Sequence, residues 1–241
     1  MHGLGASSAM FEPQVEYFQK FFKVVLIDLR GNGKSGKLDC LPEKVLDTQI
    51  EDIKEVLQRL QIDQPIFVGV SYGGVLIQKL AITHPDLVKA LVISNSFCDT
   101  TVDSYLKRLA MIFAKQTWIL NMPSKWLAEL TKLSYKRWSL ASKEMEQVML
   151  KLRKDEVKIQ RNAINKINFN VDLPHLNIPT LCLVGDHTKL GVQMMKQVNR
   201  LIPHSELQII EDSFDPSNLC QPKVFNEKVH TFLCKTFGSS L

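Results

Sequence analysis

Short, almost wholly apolar runs alternate with longer stretches of helical periodicity along most of the chain. A strand that is covered on both faces by helices has such a run, whereas a half-exposed strand alternates apolar and polar residues. The pattern therefore predicts an α/β fold with a doubly wound, mostly parallel sheet. The predicted strands are Val24–Asp28, Ile66–Val70, Ala90–Ser94, Thr180–Gly185 and Glu206–Ile210, and the predicted helices are Met10–Phe21, Thr48–Leu60, Gly73–Thr83, Leu190–Leu201 and Lys223–Phe237.

This alternation breaks between residues 100 and 170, where several amphipathic helices follow one another. Trp118, Trp126 and Trp138 recur there among Leu, Met and Ile at helical spacing. About seventy residues between consecutive strands is far more than a crossover helix needs. We therefore predict a core made of residues 1–99 and 171–241, with residues 100–170 inserted as a helical lid. Extra packing helices with no bearing on a site are the alternative.

Composition narrows the class of protein. Apolar residues make up 45% and charged residues 23% of the chain, as in ordinary globular proteins. No apolar run is long enough to cross a bilayer, and no signal peptide is visible, so we expect no transmembrane segment. The net charge of +5 concentrates between residues 107 and 166. Without a nucleic-acid-binding motif, that charge favours solvated helix faces and no nucleic-acid partner.

The five cysteines are widely spaced and form no CxxC pair or Cys/His cluster. This spacing is typical of reduced thiols in a cytoplasmic protein rather than of a metal centre. We therefore predict a cytoplasmic location, no metal site and no cofactor.

A Gly-x-Ser-x-Gly motif joins a predicted strand to a predicted helix at residues 69–73. A sharp strand-to-helix turn strains the serine backbone, and bulk at Gly69 or Gly73 would collide with the neighbouring helix or strand. Such a turn exposes the Ser71 hydroxyl above the sheet, where the helix dipole favours developing negative charge. The motif predicts a nucleophile at Ser71. In the alternative, Ser71 only ends a strand.

Two further motifs accompany this turn, His-Gly-Leu-Gly-Ala-Ser at residues 2–7 and Asp-Leu-Arg-Gly-Asn-Gly at residues 28–33. With them the chain resembles the α/β-hydrolase superfamily, in its serine hydrolase lineage, over almost all of its length. The resemblance implies the α/β-hydrolase fold and hydrolysis of a small carboxylic ester. It also implies that the backbone amides of Leu4 and Tyr72 form an oxyanion hole.

The chain departs from this family at two positions of the catalytic triad. The resemblance places Thr188 where the acid stands and Asp215 where the histidine stands. Loss of a triad member typically lowers turnover by ~10⁴–10⁶. An ordinary aspartate, with a pKa of about 3.9, is too weak a base to replace a histidine. We therefore expect a degenerate triad.

Three residues are candidate stand-ins for the missing groups. His187 follows Asp186 on a loop that should reach the mouth of the site, so the two form a candidate base and orienting acid. Asp99 follows the Ala90–Ser94 strand, where some members of the superfamily place the acid. His2 lies in the oxyanion loop, where a histidine more often supports the loop than catalyses.

The architecture also departs from the family, because the His-Gly loop there follows a strand in the middle of the sheet. This chain begins at that loop, so we expect an N-terminally shortened sheet. Either the strands beside the missing one close the gap, or unpaired backbone groups remain at ~1–3 kcal/mol each. A truncated product or fragment is the simplest explanation.

Two functions remain open. The chain is a weak hydrolase of small carboxylic esters, or it is a non-catalytic hydrolase-fold protein that binds a ligand or a protein partner. The second hypothesis draws on a looser resemblance to the maspardin group, carried by residues 94–100 and by the altered triad positions.

Overall fold

The sheet contains four parallel strands in the order β1-β2-β3-β4. This computed structural model describes residues 1–101 and 118–238. The strands are β1 (Ile66–Val70), β2 (Ala90–Ser94), β3 (Thr180–Gly185) and β4 (Ser205–Ile210). Four of the five predicted strands are confirmed, and with them the predicted fold class.

All five helices predicted outside the lid are present, with their ends shifted by no more than about three residues, the usual uncertainty of helix boundaries. These are α1 (Glu12–Phe18), α2 (Val45–Arg59), α3 (Tyr72–Thr83), α7 (Lys189–Leu201) and α9 (Pro222–Phe237). A short helix, α8 (Ser217–Cys220), precedes α9.

Helices cover both faces of the sheet, as alternate residues of β2 show. Leu91 and Ile93 pack into a cluster with α2, α3 and α7. Val92 points to the opposite face and packs with Phe225 and Val229 of α9. Since both faces are buried at the central strands β2 and β3, these strands are apolar at almost every position, which is the origin of their apolar runs in the sequence.

The predicted strand Val24–Asp28 is wrong. The segment has no regular secondary structure and pairs with no strand among the described residues, and Val24, Val25 and Leu26 are 36%, 36% and 44% exposed. A strand exists only by virtue of a hydrogen-bonded neighbour, and among the described residues this segment has none. Of the two expected outcomes, the structure adopts the one in which the gap stays open.

The described part of the predicted lid consists of three helices, whereas residues 102–117 lie outside the described residues. They are α4 (Ser124–Ser134), α5 (Ser139–Leu150) and α6 (Lys154–Ile164). Tyr135 and Trp138 pack with Phe11, Val70 and Leu219, at the carboxyl end of β1. The turn between α4 and α5 therefore lies at the end of the sheet that carries Ser71.

None of the helices within residues 1–101 and 118–238 has the length and apolar character needed to cross a membrane. In the same part of the chain, no three His, Cys, Asp or Glu side chains are grouped so as to hold a metal ion.

Candidate active site

Ser71 stands in a strained backbone conformation between β1 and α3, with φ 53° and ψ −113°. Its N–H donates to the carbonyl of Ser94 in β2 at 2.8 Å, and its own carbonyl accepts from the N–H of Gly74 at 3.0 Å. A positive φ is unfavourable for any residue other than glycine. The turn therefore depends on these surrounding contacts to stabilise it. The serine side chain remains half-buried rather than enclosed in the core.

The two glycines of the motif are required by close approaches of backbone. A Cβ at Gly69 would lie 2.5 Å from the carbonyl oxygen of Gly73, at the start of α3. A Cβ at Gly73 would overlap the carbonyl of Met1, the residue that runs beside β1. The collision expected at Gly69 is therefore with the helix, and the one at Gly73 is with the chain's first residue.

The oxyanion loop lies against the serine, because a Cβ on Gly3 would be 3.6 Å from the Ser71 Cβ. Tyr72 opens α3, so its N–H has no acceptor within the helix. Within residues 1–101 and 118–238, neither the Leu4 N–H nor the Tyr72 N–H donates to another backbone or side-chain group. Both amides are thus available to a developing oxyanion.

His2 supports this loop from within the core. Its Nδ1 donates to the Gly3 carbonyl at 2.9 Å, and its Nε2 accepts from the Leu29 N–H at 3.0 Å. Burial lowers the pKa of His2 to about 4, so the ring is neutral at pH 7. With both nitrogens engaged, His2 fixes the loop and has none left to accept a proton from Ser71.

The Asp215 carboxyl group lies beside the Ser71 side chain. Burial of its carboxyl group raises the pKa of Asp215 to about 7, and a hydrogen bond from the Ser71 side chain partly opposes that rise. The residue as a whole is half-buried. The expectation that Asp215 would keep an ordinary low pKa is therefore wrong, because desolvation disfavours its charged form.

The lid holds the loop that carries Asp215. Tyr135 donates its hydroxyl to the Asp215 carbonyl, and the Trp138 indole N–H donates to the Asp212 carbonyl at 2.7 Å. Phe214, between the two loop residues, packs its ring at 5.6 Å from that of Tyr135 and at 6.3 Å from that of Trp138. These contacts join the predicted lid to the loop that contains Asp212, Phe214 and Asp215.

The structure does not bring His187 to the serine. Its exposed ring packs edge-on against Trp138 at 5.2 Å and against Phe214 at 5.4 Å. Among the described residues, no histidine side chain forms a hydrogen bond with Ser71.

The carboxyl of Asp186 does not reach His187 either. Instead its Oδ1 accepts from the Ser213 N–H at 3.2 Å, which ties the loop after β3 to the loop after β4. Thr188 begins α7, where its Oγ1 accepts from the Gly191 N–H at 3.2 Å. Both side chains thus have local structural partners.

Asp99 also has local partners. Its Oδ1 accepts from the Thr101 N–H at 2.7 Å, and its Oδ2 accepts from the Asn170 side-chain amide at 2.7 Å. These bonds join the two ends of the predicted lid, since residue 99 also bridges to Asn168. The site that the structure assembles therefore contains Ser71, Leu4, Tyr72 and Asp215, without His187, Asp186 or Asp99.

Two residues that touch this site were not predicted from the sequence, Tyr135 and Ser96. Ser96 donates its hydroxyl to the Ser71 carbonyl at 2.9 Å. The aromatic spacing in the lid indicated packing alone, and no sequence pattern indicated that Tyr135 would reach the Asp215 loop.

The chain is similar in sequence to known hydrolases and in structure to a known esterase. A putative carbamate hydrolase, RutD, of Rhizobium rhizogenes is 25% identical over 243 residues, which cover 96% of this chain and 90% of that protein. The 3-oxoadipate enol-lactonase 1 of Acinetobacter baylyi is 26% identical over 231 residues, with 93% and 83% covered. A thermophilic esterase from Thermogutta terrifontis superposes with a TM-score of 0.82 at 21% identity, covering 97% of this chain and 88% of that one.

A family model described as the alpha/beta hydrolase fold matches residues 1–125, more than half of the chain. The protein therefore belongs to the α/β hydrolase fold family.

Proposed function

We propose that this protein is a slow serine hydrolase of small carboxylic esters, in which Asp215 takes the place of the usual histidine as proton acceptor. The observation that carries the proposal is the buried Asp215 carboxyl group beside the Ser71 side chain, because burial raises the pKa of that carboxyl group to about 7. A general base works best when its pKa lies near the working pH. Asp215 meets that condition, whereas an ordinary aspartate does not.

The steps follow from these four groups. The Asp215 carboxylate takes the Ser71 proton as the serine oxygen attacks the ester carbonyl carbon, and the resulting oxyanion accepts from the Leu4 and Tyr72 amides. The bond to the alcohol then breaks, and protonated Asp215 gives its proton to the departing oxygen. Asp215 next deprotonates a water molecule, which attacks the acyl-serine carbonyl carbon. The bond to the Ser71 oxygen then breaks, protonated Asp215 returns its proton to that oxygen, and the carboxylic acid is released.

The low rate in the proposal has a physical reason. In the usual triad a histidine ring reaches the nucleophile with one nitrogen while an acid orients the other, and among the described residues no such relay reaches Ser71. Part of Asp215 is also protonated at pH 7 and cannot accept a proton. The relatives' names denote hydrolysis of a carbamate and of an enol-lactone, which supports an acyl carbon as the target.

The second candidate is a non-catalytic protein that binds a ligand or a protein partner under the lid. The exposed position of His187 favours it, because in the described part of the chain no histidine reaches the serine. The looser resemblance to maspardin belongs to this candidate and stays a prediction. Under either candidate the five free thiols favour the predicted cytoplasmic location.

Reaction with a fluorophosphonate probe separates the two candidates. The hydrolase predicts covalent labelling that disappears in Ser71→Ala and persists in Ser134→Ala, a matched change at an exposed serine of α4. Labelling should also be faster at pH 8 than at pH 6, because a larger share of Asp215 is ionised. If the protein unfolds cooperatively but the probe does not label Ser71, the non-catalytic candidate is correct.

A further inference from the structure

Asn95, the first residue after β2, has a strained backbone close to the candidate active site. Its φ is 48°, and its N–H donates to the Leu183 carbonyl of β3 at 2.9 Å. A positive φ is uncommon for residues other than glycine, although asparagine tolerates it better than most. Because such strain clusters at functional sites, the side chain of Asn95 is a candidate for a role in this one.

The Asn95 side chain reaches the loop that carries Asp215. Its Oδ1 accepts from the Ser217 N–H at 3.2 Å and from the Ser94 hydroxyl at 2.9 Å. Ser217 lies two residues after Asp215 and is fully buried, as is Ser94. The Ser217 N–H begins α8 and has no acceptor within that helix, so Asn95 supplies the acceptor that a buried amide needs.

The serines on either side of Asn95 hold the nucleophile turn. The Ser94 carbonyl accepts from the Ser71 N–H at 2.8 Å. The Ser96 hydroxyl donates to the Ser71 carbonyl at 2.9 Å. Three consecutive residues after β2 therefore hold the backbone of Ser71 and, through Asn95, the backbone next to Asp215.

Ser217 in turn closes the chain around Asp215. Its hydroxyl donates to the Phe214 carbonyl at 3.1 Å, so a hydrogen bond joins the residues that flank Asp215 and Pro216. A displacement of Ser217 therefore also displaces Asp215. The contact between Asn95 and Ser217 fixes this short segment relative to the sheet.

We propose that Asn95 is a positioning residue, which holds the Asp215 carboxyl group beside Ser71 through its hydrogen bond to the Ser217 N–H. Its effect on rate rests on the proposed function, in which Asp215 accepts the Ser71 proton. Its effect on the environment of the carboxyl group does not depend on hydrolysis. Asn95 acts through Ser217 and accepts no proton itself.

The pKa of Asp215, followed by ¹³C NMR of its carboxyl carbon, reports its environment without any substrate. Asn95→Gly keeps the positive φ at no cost but removes the acceptor for Ser217. The freed loop admits water to the carboxyl group, and since burial is the main cause of its raised pKa, that pKa should fall by at least about one pH unit. Gln61→Gly is the matched control, at an exposed residue with φ 52°, and should leave the pKa of Asp215 unchanged.

Asn95→Asp should shift the same pKa in the opposite direction. The new carboxylate keeps an acceptor for the Ser217 N–H and adds a negative charge, which should raise the pKa of Asp215 by at least about half a pH unit. The titratable neighbours of Asp215 are the Tyr135 phenol and the Cys220 thiol. Burial raises the pKa of both, to about 11 for Cys220, so both remain neutral throughout this titration.

Kinetics test the consequence for the reaction. Asn95→Gly should lower kcat for an aryl ester about tenfold and change KM by less than about twofold, because it displaces the proton acceptor but not the groups that bind the ester. If the parent protein hydrolyses no ester while the two Asn95 variants shift the pKa of Asp215 in opposite directions, the proposed function is wrong and the positioning role stands.

Two results would overturn the positioning role. In the first, both Asn95 variants lower Tm but titrate at Asp215 as the parent does, which is the behaviour of a residue that only stabilises the fold. In the second, Gln61→Gly shifts the pKa of Asp215 as much as Asn95→Gly does. If Asn95→Gly does not fold, the rise expected in Asn95→Asp decides the question by its presence or absence.

Discussion

The two halves of the candidate site are built in different ways. The nucleophile half, residues 1–5 and 69–74, consists of backbone: a strained turn, two free amides and glycines that permit close approach. The proposed proton-transfer half, residues 212–216, depends on the Asp215 side chain and on its burial beneath residues of the predicted lid. The nucleophile half tolerates little change in sequence, because its backbone leaves no room for larger side chains. The proton-transfer half can use a different acid-base group if the surroundings adjust the pKa of that group.

The largest expected effect lies in the proton-transfer half. Asp215→Asn keeps the shape of the side chain but removes the proton acceptor, so kcat/KM for an aryl ester should fall by ~10²–10⁴. His187→Asn is the matched control on the neighbouring loop and should change kcat/KM by less than about twofold, since the ring does not contact Ser71. If His187→Asn instead lowers kcat/KM strongly and Asp215→Asn does not, His187 is the base, and the account of the proton-transfer half is wrong.

The next effect tests the nucleophile half through stability. Gly69→Ala places a Cβ 2.5 Å from the Gly73 carbonyl, and relief of that overlap should lower the free energy of unfolding by about 1–3 kcal/mol. Gly36→Ala meets nothing within 4 Å and should stay within about 0.5 kcal/mol of the parent. Urea unfolding measures both. Equal effects would show that the turn accommodates bulk.

Repair of the triad is a third way to sharpen the comparison. Asp215→His alone should restore little, because Thr188 gives the new ring no carboxylate to orient it. Thr188→Asp with Asp215→His should hydrolyse a short-chain aryl ester at least about tenfold faster than either single change, since such residues act as a unit. An aspartate at 188 also keeps the cap that Thr188 gives α7.

The repair experiment requires that the double variant unfold cooperatively on heating. If it does so and is no faster than the parent, the alignment of these two loops with the family triad is wrong.

The smallest effect concerns the lid. Tyr135→Phe removes one hydrogen bond to the Asp215 carbonyl but keeps the ring packing, so kcat/KM should fall about threefold to tenfold. Tyr17→Phe removes a hydroxyl that contacts His230 and should leave kcat/KM unchanged. If both variants behave alike, the lid does not position Asp215.

The sequence predicts the nucleophile half better than the proton-transfer half for a physical reason. The glycines around Ser71 and the apolar run of β1 are local requirements of a turn and of a buried strand, so they are visible in the sequence. The pKa of Asp215 depends on which distant residues enclose it, among them Tyr135 from the lid, and no local pattern records that.

The same distinction explains the error at Val24–Asp28. Its composition is that of a buried strand, but a strand also needs a hydrogen-bonded partner, and among the described residues this segment has none. Local preference alone therefore does not decide whether a hydrogen-bonded ladder forms.

The pH dependence of kcat/KM for an aryl ester, from pH 5.5 to 8.5, tests the central claim most directly. Activity requires ionised Asp215, whose pKa burial raises to about 7, so kcat/KM should be low at acid pH, rise through about pH 7 and level off above it. Asp215→Asn should be slow and should lack this rise. A profile that is flat, or that keeps its midpoint near pH 7 in Asp215→Asn, would show that another group takes the Ser71 proton.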